Sequence, residues 1–75
     1  MLYYFRKVKT MDWGKSIKQL REVMLLTQTE LANLIGVSFA SINRWENEHH
    51  EPTMEAKRKL VKLFKRYGIN EEKLK

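Results

Sequence analysis

Cysteine is absent from this chain, proline occurs once, and glycine occurs three times. Without thiols there is no disulfide framework and no thiolate metal site, which favours a reducing, intracellular setting. The longest strictly apolar run is Val23-Met24-Leu25-Leu26. It is far too short to span a membrane, and no charged start followed by a long apolar block suggests a signal peptide. Asp12 is the sole aspartate, and His49 and His50 are the sole histidines. Neither a Gly-x-x-x-x-Gly-Lys phosphate loop nor a Ser/His/Asp arrangement is present, so the chain is not expected to be an enzyme on its own.

What is present points to one small globular unit. A chain of 75 residues forms a single domain that buries roughly 60% of its unfolded surface. At 43% hydrophobic and 32% charged it is globular rather than disordered. Its net charge of +6 suits a polyanionic partner, either nucleic acid or an anionic membrane surface.

Residues 1–10 differ from the rest. Leu2-Tyr3-Tyr4-Phe5 is aromatic and β-prone, and Arg6-Lys7-Val8-Lys9 follows it. From Asp12 onward the pattern is helical, with no linker and no internal repeat. Asp12 caps a first helix to about Leu25, with Trp13, Ile17, Leu20 and Met24 on one face. Thr27-Gln28-Thr29-Glu30 reads as a capping box. The helix it opens carries Leu31, Ala32, Leu34 and Ile35, and it ends at Gly36, where a left-handed residue is wanted. Ser38 caps a third helix, with Val37 and Ile42 as a hydrophobic staple. Thr53, after Pro52, caps a fourth helix that runs through Tyr67 to Gly68, and a short fifth helix starts at Asn70.

Gln28 to Trp45 is the informative segment. A short helix, a tight turn opening at Gly36, and a capped helix with Ile42 and Trp45 facing inward describe a helix-turn-helix. Ala32 is small where the two helices cross. Around it, Ile17-Lys18-Gln19-Leu20-Arg21, Thr27-Gln28-Thr29-Glu30-Leu31-Ala32, Ile35-Gly36-Val37-Ser38, Ser41-Ile42, Trp45-Glu46-Asn47 and Pro52-Thr53 fall into register. These residues resemble the lambda-repressor-like, Cro-like helix-turn-helix family, also called the xenobiotic response element family. The resemblance covers roughly residues 12–70.

The resemblance implies a compact all-α, five-helix DNA-binding domain over residues 12–75, preceded by an extension at 1–11. It implies sequence-specific binding of double-stranded DNA by a cytoplasmic, bacterial or phage-encoded transcription regulator of repressor type. Ser38, Phe39, Ala40, Asn43 and Arg44 match the family's major-groove residues. Gln28, Ser41, Asn47 and Thr53 match its phosphate contacts, and Arg21 and Glu46 match an internal ion pair. A homodimer on half-sites one helical turn (about 34 Å) apart is the expected assembly. No cofactor, metal, small-molecule substrate or membrane is expected. Glu48 departs from the pattern, standing where the family commonly has glycine. A left-handed non-glycine residue costs about 1 kcal/mol, so the expectation is that the third helix ends differently there or that Asn47 takes that conformation.

Other readings stand beside these. Trp45 reads as core because it shares a face with Ile42. Phe39 at an outward helix start is harder to explain as core and marks contact with something. Arg21–Glu46 reads alternatively as an exposed pair worth under about 1 kcal/mol. In His49-His50-Glu51 adjacent histidines diverge and no third nitrogen or sulfur ligand is at hand, so no metal site is expected. The fourth helix sets Ala56, Leu60, Leu63, Phe64 and Tyr67 against Arg58, Lys59, Lys62, Lys65 and Arg66. Its basic side reads as a solvated face, or as non-specific attraction to phosphate. For residues 1–10 a strand pairing across a dimer, a basic arm along DNA and a disordered lead compete, as does a native start at Met11. The functional alternatives are a protein-interaction module on the same fold, or the DNA-reading part of a larger restriction–modification or antitoxin system.

The charge is unevenly spread. Residues 1–10 carry +3, residues 11–53 carry −2, and residues 54–75 carry +5. The segment expected to read DNA is therefore slightly acidic, and specificity would have to rest on helix N-termini and on Gln28, Asn43 and Arg44, with the basic flanks adding salt-sensitive attraction.

Overall fold

A computed structural model describes residues 12–69. They form four α-helices: α1 (Trp13–Met24), α2 (Gln28–Ile35), α3 (Phe39–Glu46) and α4 (Met54–Tyr67). Among the described residues there are thus four helices where five were expected. The fifth, from Asn70, and the competing readings of residues 1–10 lie outside the described residues.

Each helix starts on a side-chain cap. Asp12 Oδ1 accepts from the Lys15 amide at 3.3 Å, Ser38 Oγ from Ser41 at 3.1 Å, and Thr53 Oγ1 from Ala56 at 3.2 Å. The capping box on α2 is reciprocal: the Glu30 amide donates to Thr27 Oγ1 at 3.1 Å, and the Thr27 amide donates to Glu30 Oε1 at 2.8 Å. These bonds satisfy amides that the first helical turn leaves without partners.

All four helices also end alike. Leu25, Gly36, Glu48 and Gly68 take the left-handed conformation, with φ of 60°, 77°, 61° and 71°. The amide that follows each reaches back five residues: Leu26 to Arg21 O, Val37 to Ala32 O, His49 to Arg44 O, and Ile69 to Phe64 O. This is the 6→1 bond of a Schellman-type ending. Glycine fits at two of these sites without strain. At the other two a side chain is accepted in a conformation costing roughly 1–2 kcal/mol. Two expectations about α3 are corrected here: it does not avoid the left-handed ending, and Asn47 does not adopt it (φ −87°). Glu48 itself does, because the two backbone bonds it permits, from Glu48 to Trp45 O and from His49 to Arg44 O, both form at 3.0 Å.

Ile17, Leu20, Leu31, Ile42, Leu60 and Phe64 are fully buried at the centre, and Ala32, Ile35, Trp45, Ala56 and Ile69 complete the core. Trp13, Met24, Leu26, Val37 and Leu63 seal its edges. Leu34, expected among the apolar residues of α2, is 54% exposed, and Tyr67 at the end of α4 is also exposed.

α3 packs on α1 and α2, and α4 packs on α1 and, less extensively, on α2. The α1–α3 crossing depends on Gly14. A Cβ there would stand 2.8 Å from Trp45 O, 2.8 Å from Glu48 Cγ and 3.1 Å from Glu46 O. Two of those atoms are backbone carbonyls at the end of α3 and have little room to yield. Only a residue without a side chain lets α1 come this close, a requirement that spacing alone did not reveal.

Candidate nucleic-acid interface

On α3, Ile42 and Trp45 are buried, so helical geometry turns residues 39, 40, 43, 44 and 47 to the opposite side. Exposure agrees: Phe39 is 50% exposed, and Ala40, Arg44 and Asn47 are exposed, with Asn43 half-buried among them. Ser38 is exposed at the start of the helix, and its Oγ lies 3.0 Å from Ser41 Oγ. Arg44 forms no ion pair with any acid of the described residues. Thr53 is exposed, but its hydroxyl is engaged in capping α4.

Behind this face lies a connected polar chain. Arg21 grips Glu46 with both arms of its guanidinium, Nε to Oε2 at 2.8 Å and Nη2 to Oε1 at 3.0 Å. Its third nitrogen, Nη1, donates to Leu26 O at 3.2 Å. Glu46 Oε1 also accepts from Gln28 Nε2 at 2.9 Å. Asn43 Nδ2 donates to Gln28 Oε1 at 3.3 Å, and Asn47 Nδ2 donates to Asn43 Oδ1 at 3.2 Å. The side chains of Arg21 and Glu46 are only 20% and 3% exposed, so the pair is enclosed rather than decorating the surface. The hydrogen bond with Glu46 is the largest influence holding the Arg21 guanidinium above its usual pKa, against a smaller opposing effect of burial. A forked guanidinium–carboxylate pair fixes orientation as well as charge.

The arrangement joins α1, the start of α2, and α3 through side chains alone. Gln28, singled out as a phosphate contact, has its amide turned inward between Glu46 and Asn43. One of its two N–H groups goes to Glu46, leaving the other available for an outside acceptor. Asn43 keeps one N–H and one lone pair in the same way. Sequence spacing placed Gln28, Asn43 and Asn47 in the region but missed the links among them. Asn43–Asn47, four residues apart on one helix, was the one link a sequence signal could have given.

The histidines are elsewhere. His49 and His50 are exposed, and with Glu51 they line a cleft of about 200 Å³ closed on its other side by Asp12 and Trp13. Among the described residues no three His, Asp or Glu side chains converge as a metal-ligand set. None of the described helices is long and apolar enough to cross a membrane.

Comparison with known proteins agrees with this geometry. A helix-turn-helix family model matches residues 17–74, from the first buried isoleucine of α1 through all of α2, α3 and α4. No curated protein and no solved structure matches the chain. On the family match and on its four-helix all-α fold, the chain belongs to the helix-turn-helix family of lambda-repressor and Cro type, a family of DNA-binding transcription regulators.

Proposed function

We propose that this protein binds double-stranded DNA sequence-specifically, with α3 in the major groove, and acts as a transcription regulator of repressor type. The observation that carries this reading is the outward arc of Phe39, Ala40, Asn43 and Arg44, anchored at Asn43 by the chain that runs from Arg21 through Glu46 and Gln28. Side chains positioned before contact cost less to order on binding, and Asn43 is held in this way by its bonds to Gln28 and Asn47.

Arg44 reads guanine through O6 and N7, a forked contact worth roughly 1–3 kcal/mol of discrimination. The remaining N–H and lone pair of Asn43 match the donor and acceptor needs of adenine's N7 and N6 edge. Phe39 and Ala40 offer only apolar contact, suited to thymine methyls, and Ser38 completes the base-reading set. Gln28 at the positive start of α2, with Ser41, Asn47 and Thr53, positions the phosphates. Arg21 and Glu46 touch no DNA and brace the set. The +5 of residues 54–75 adds attraction that weakens as salt rises. A single domain makes few base contacts, so the acting form is a homodimer on two half-sites about 34 Å apart. A protein-interaction module would be expected to expose several large apolar side chains on α3, and Phe39 is the single exposed large hydrophobic residue there.

Selection from random duplex DNA at about 0.15 M salt tests the reading. Enrichment of a motif is expected, with an inverted repeat for the dimer. Recovery of unenriched sequence would refute it.

A further inference from the structure

A second surface lies along α1 and α4. Trp13, Met54 and Val61 form the floor of a shallow trough of about 530 Å³, and Lys57, Arg58, Lys62 and Lys65 form its rim. Met54 is 64% exposed, although methionine ordinarily fills a gap in a core. Among the described residues no acidic side chain lines the trough. Lys57 is engaged, with its Nζ 2.8 Å from Glu51 Oε1 and 5.2 Å from the centre of the Trp13 ring. Arg58, Lys62 and Lys65 form no ion pair with any acid of the described residues.

On α4 the trough's residues follow a helical rhythm. Met54, Arg58, Val61, Lys62 and Lys65 are separated by steps of three and four or lie adjacent, so they make one continuous stripe. A stripe with an apolar floor and a one-signed rim is matched by a partner helix with the complementary stripe. We propose that this trough docks an acidic amphipathic segment of another protein, its apolar side chains on Trp13, Met54 and Val61 and its carboxylates on Arg58, Lys62 and Lys65. Charge and shape select this occupant. A nucleic-acid backbone would leave the apolar floor unused, a lipid surface has no shape to fill a recess, and residues 1–10 carry +3, which the cationic rim repels. None of the trough's residues belongs to α2, α3 or the turn between them. A partner there and DNA on α3 therefore engage different residues.

The experiment titrates the isotopically labelled full chain with a synthetic peptide of about 15 residues, long enough for four helical turns. Leucines are set at steps of three and four with glutamates between them; a scrambled peptide and an oligoglutamate serve as controls. Saturable binding with Kd on the order of 10–100 μM is expected, with the largest shifts at the Trp13 indole and the Met54 and Val61 methyls. Lys62→Glu and Met54→Glu, both at exposed positions, should each weaken binding about tenfold. The scrambled peptide and oligoglutamate should bind more weakly than the designed one. The proposal is overturned by no saturable binding up to about 1 mM, or by equal binding of the scrambled peptide or oligoglutamate. It is also overturned if phosphatidylglycerol vesicles or duplex DNA occupy these residues more tightly than the peptide, or if nuclear Overhauser contacts seat Tyr3 or Phe5 against Met54.

Discussion

Gln28 Nε2 donates to Glu46 Oε1 at 2.9 Å, onto the same oxygen that receives Arg21 Nη2 at 3.0 Å. The start of α2 is thereby tied to an ion pair that spans α1 and α3, and through Gln28 Oε1 the tie reaches Asn43. Under the proposed function, stability and recognition share one set of bonds, and substitutions along it separate the two.

Glu46→Ala leaves the Arg21 guanidinium half-buried without its carboxylate and removes the acceptor for Gln28. Breaking an enclosed pair costs up to about 3–5 kcal/mol. With Arg21 still 20% exposed, about 2 kcal/mol is expected. For a domain of this size that lowers Tm by about 10 °C. An unchanged melting curve in a calorimeter would show that the pair contributes nothing.

Gln28→Ala should weaken DNA binding on every sequence by up to about tenfold, the worth of one hydrogen bond. It should also blunt the preference at the base pair read by Asn43, whose Nδ2 loses its acceptor. Binding-site selection with the variant checks both effects. A preference at that base pair as sharp as in the parent would sever Gln28 from Asn43.

Arg44→Ala, by contrast, should erase preference at one base pair, a loss of roughly 1–3 kcal/mol on the favoured sequence. Affinity for unrelated duplexes should change little. Parallel titrations on the selected and scrambled duplexes decide it, since equal loss on both would assign Arg44 to phosphate.

Gly14→Ala sets two effects of opposite sign against each other. Helix propensity favours alanine in α1 by about 1 kcal/mol. The added Cβ, however, meets Trp45 O at 2.8 Å, and overpacking of this kind costs about 1–3 kcal/mol. Destabilisation is expected in urea denaturation, and a gain in stability would mean that α3 shifts freely.

Leu25→Gly should stabilise the fold by about 1 kcal/mol, because it relieves the left-handed strain. The side chain is 88% exposed and loses little packing. A lower denaturation midpoint would show that glycine's greater freedom in the unfolded chain outweighs the relief.

Local signals in the sequence carried most of the fold. Asp12, the Thr27–Glu30 box, Ser38 and Thr53 were readable as caps because each bonds an amide only three residues away. Gly36 and Gly68 marked two helix ends for the same reason. The other two ends fall on Leu25 and Glu48, whose side chains give no sign of a left-handed backbone; the Schellman-type bonds that hold them are made by backbone atoms of any sequence. Arg21 and Glu46 stand 25 residues apart, and only family resemblance paired them. Gln28 and Asn43 are 15 apart, and which way an amide turns is decided by the packed neighbours, not by the chain near it. Gly14 was invisible for a related reason, since its role is set by carbonyls of α3, two helices further along the chain.

The four Schellman-type endings differ in what latches them. After three of them the returning residue is apolar and sits against the core: Leu26, Val37 and Ile69. After α3 it is His49, which is exposed, and the next inward anchor is the buried Pro52. The corner that closes α3 is therefore held by backbone bonds without an apolar latch directly behind it. The segment between His49 and Pro52 is tied to α4 by charge instead, through Glu51, whose Oε1 accepts from Lys57 Nζ at 2.8 Å.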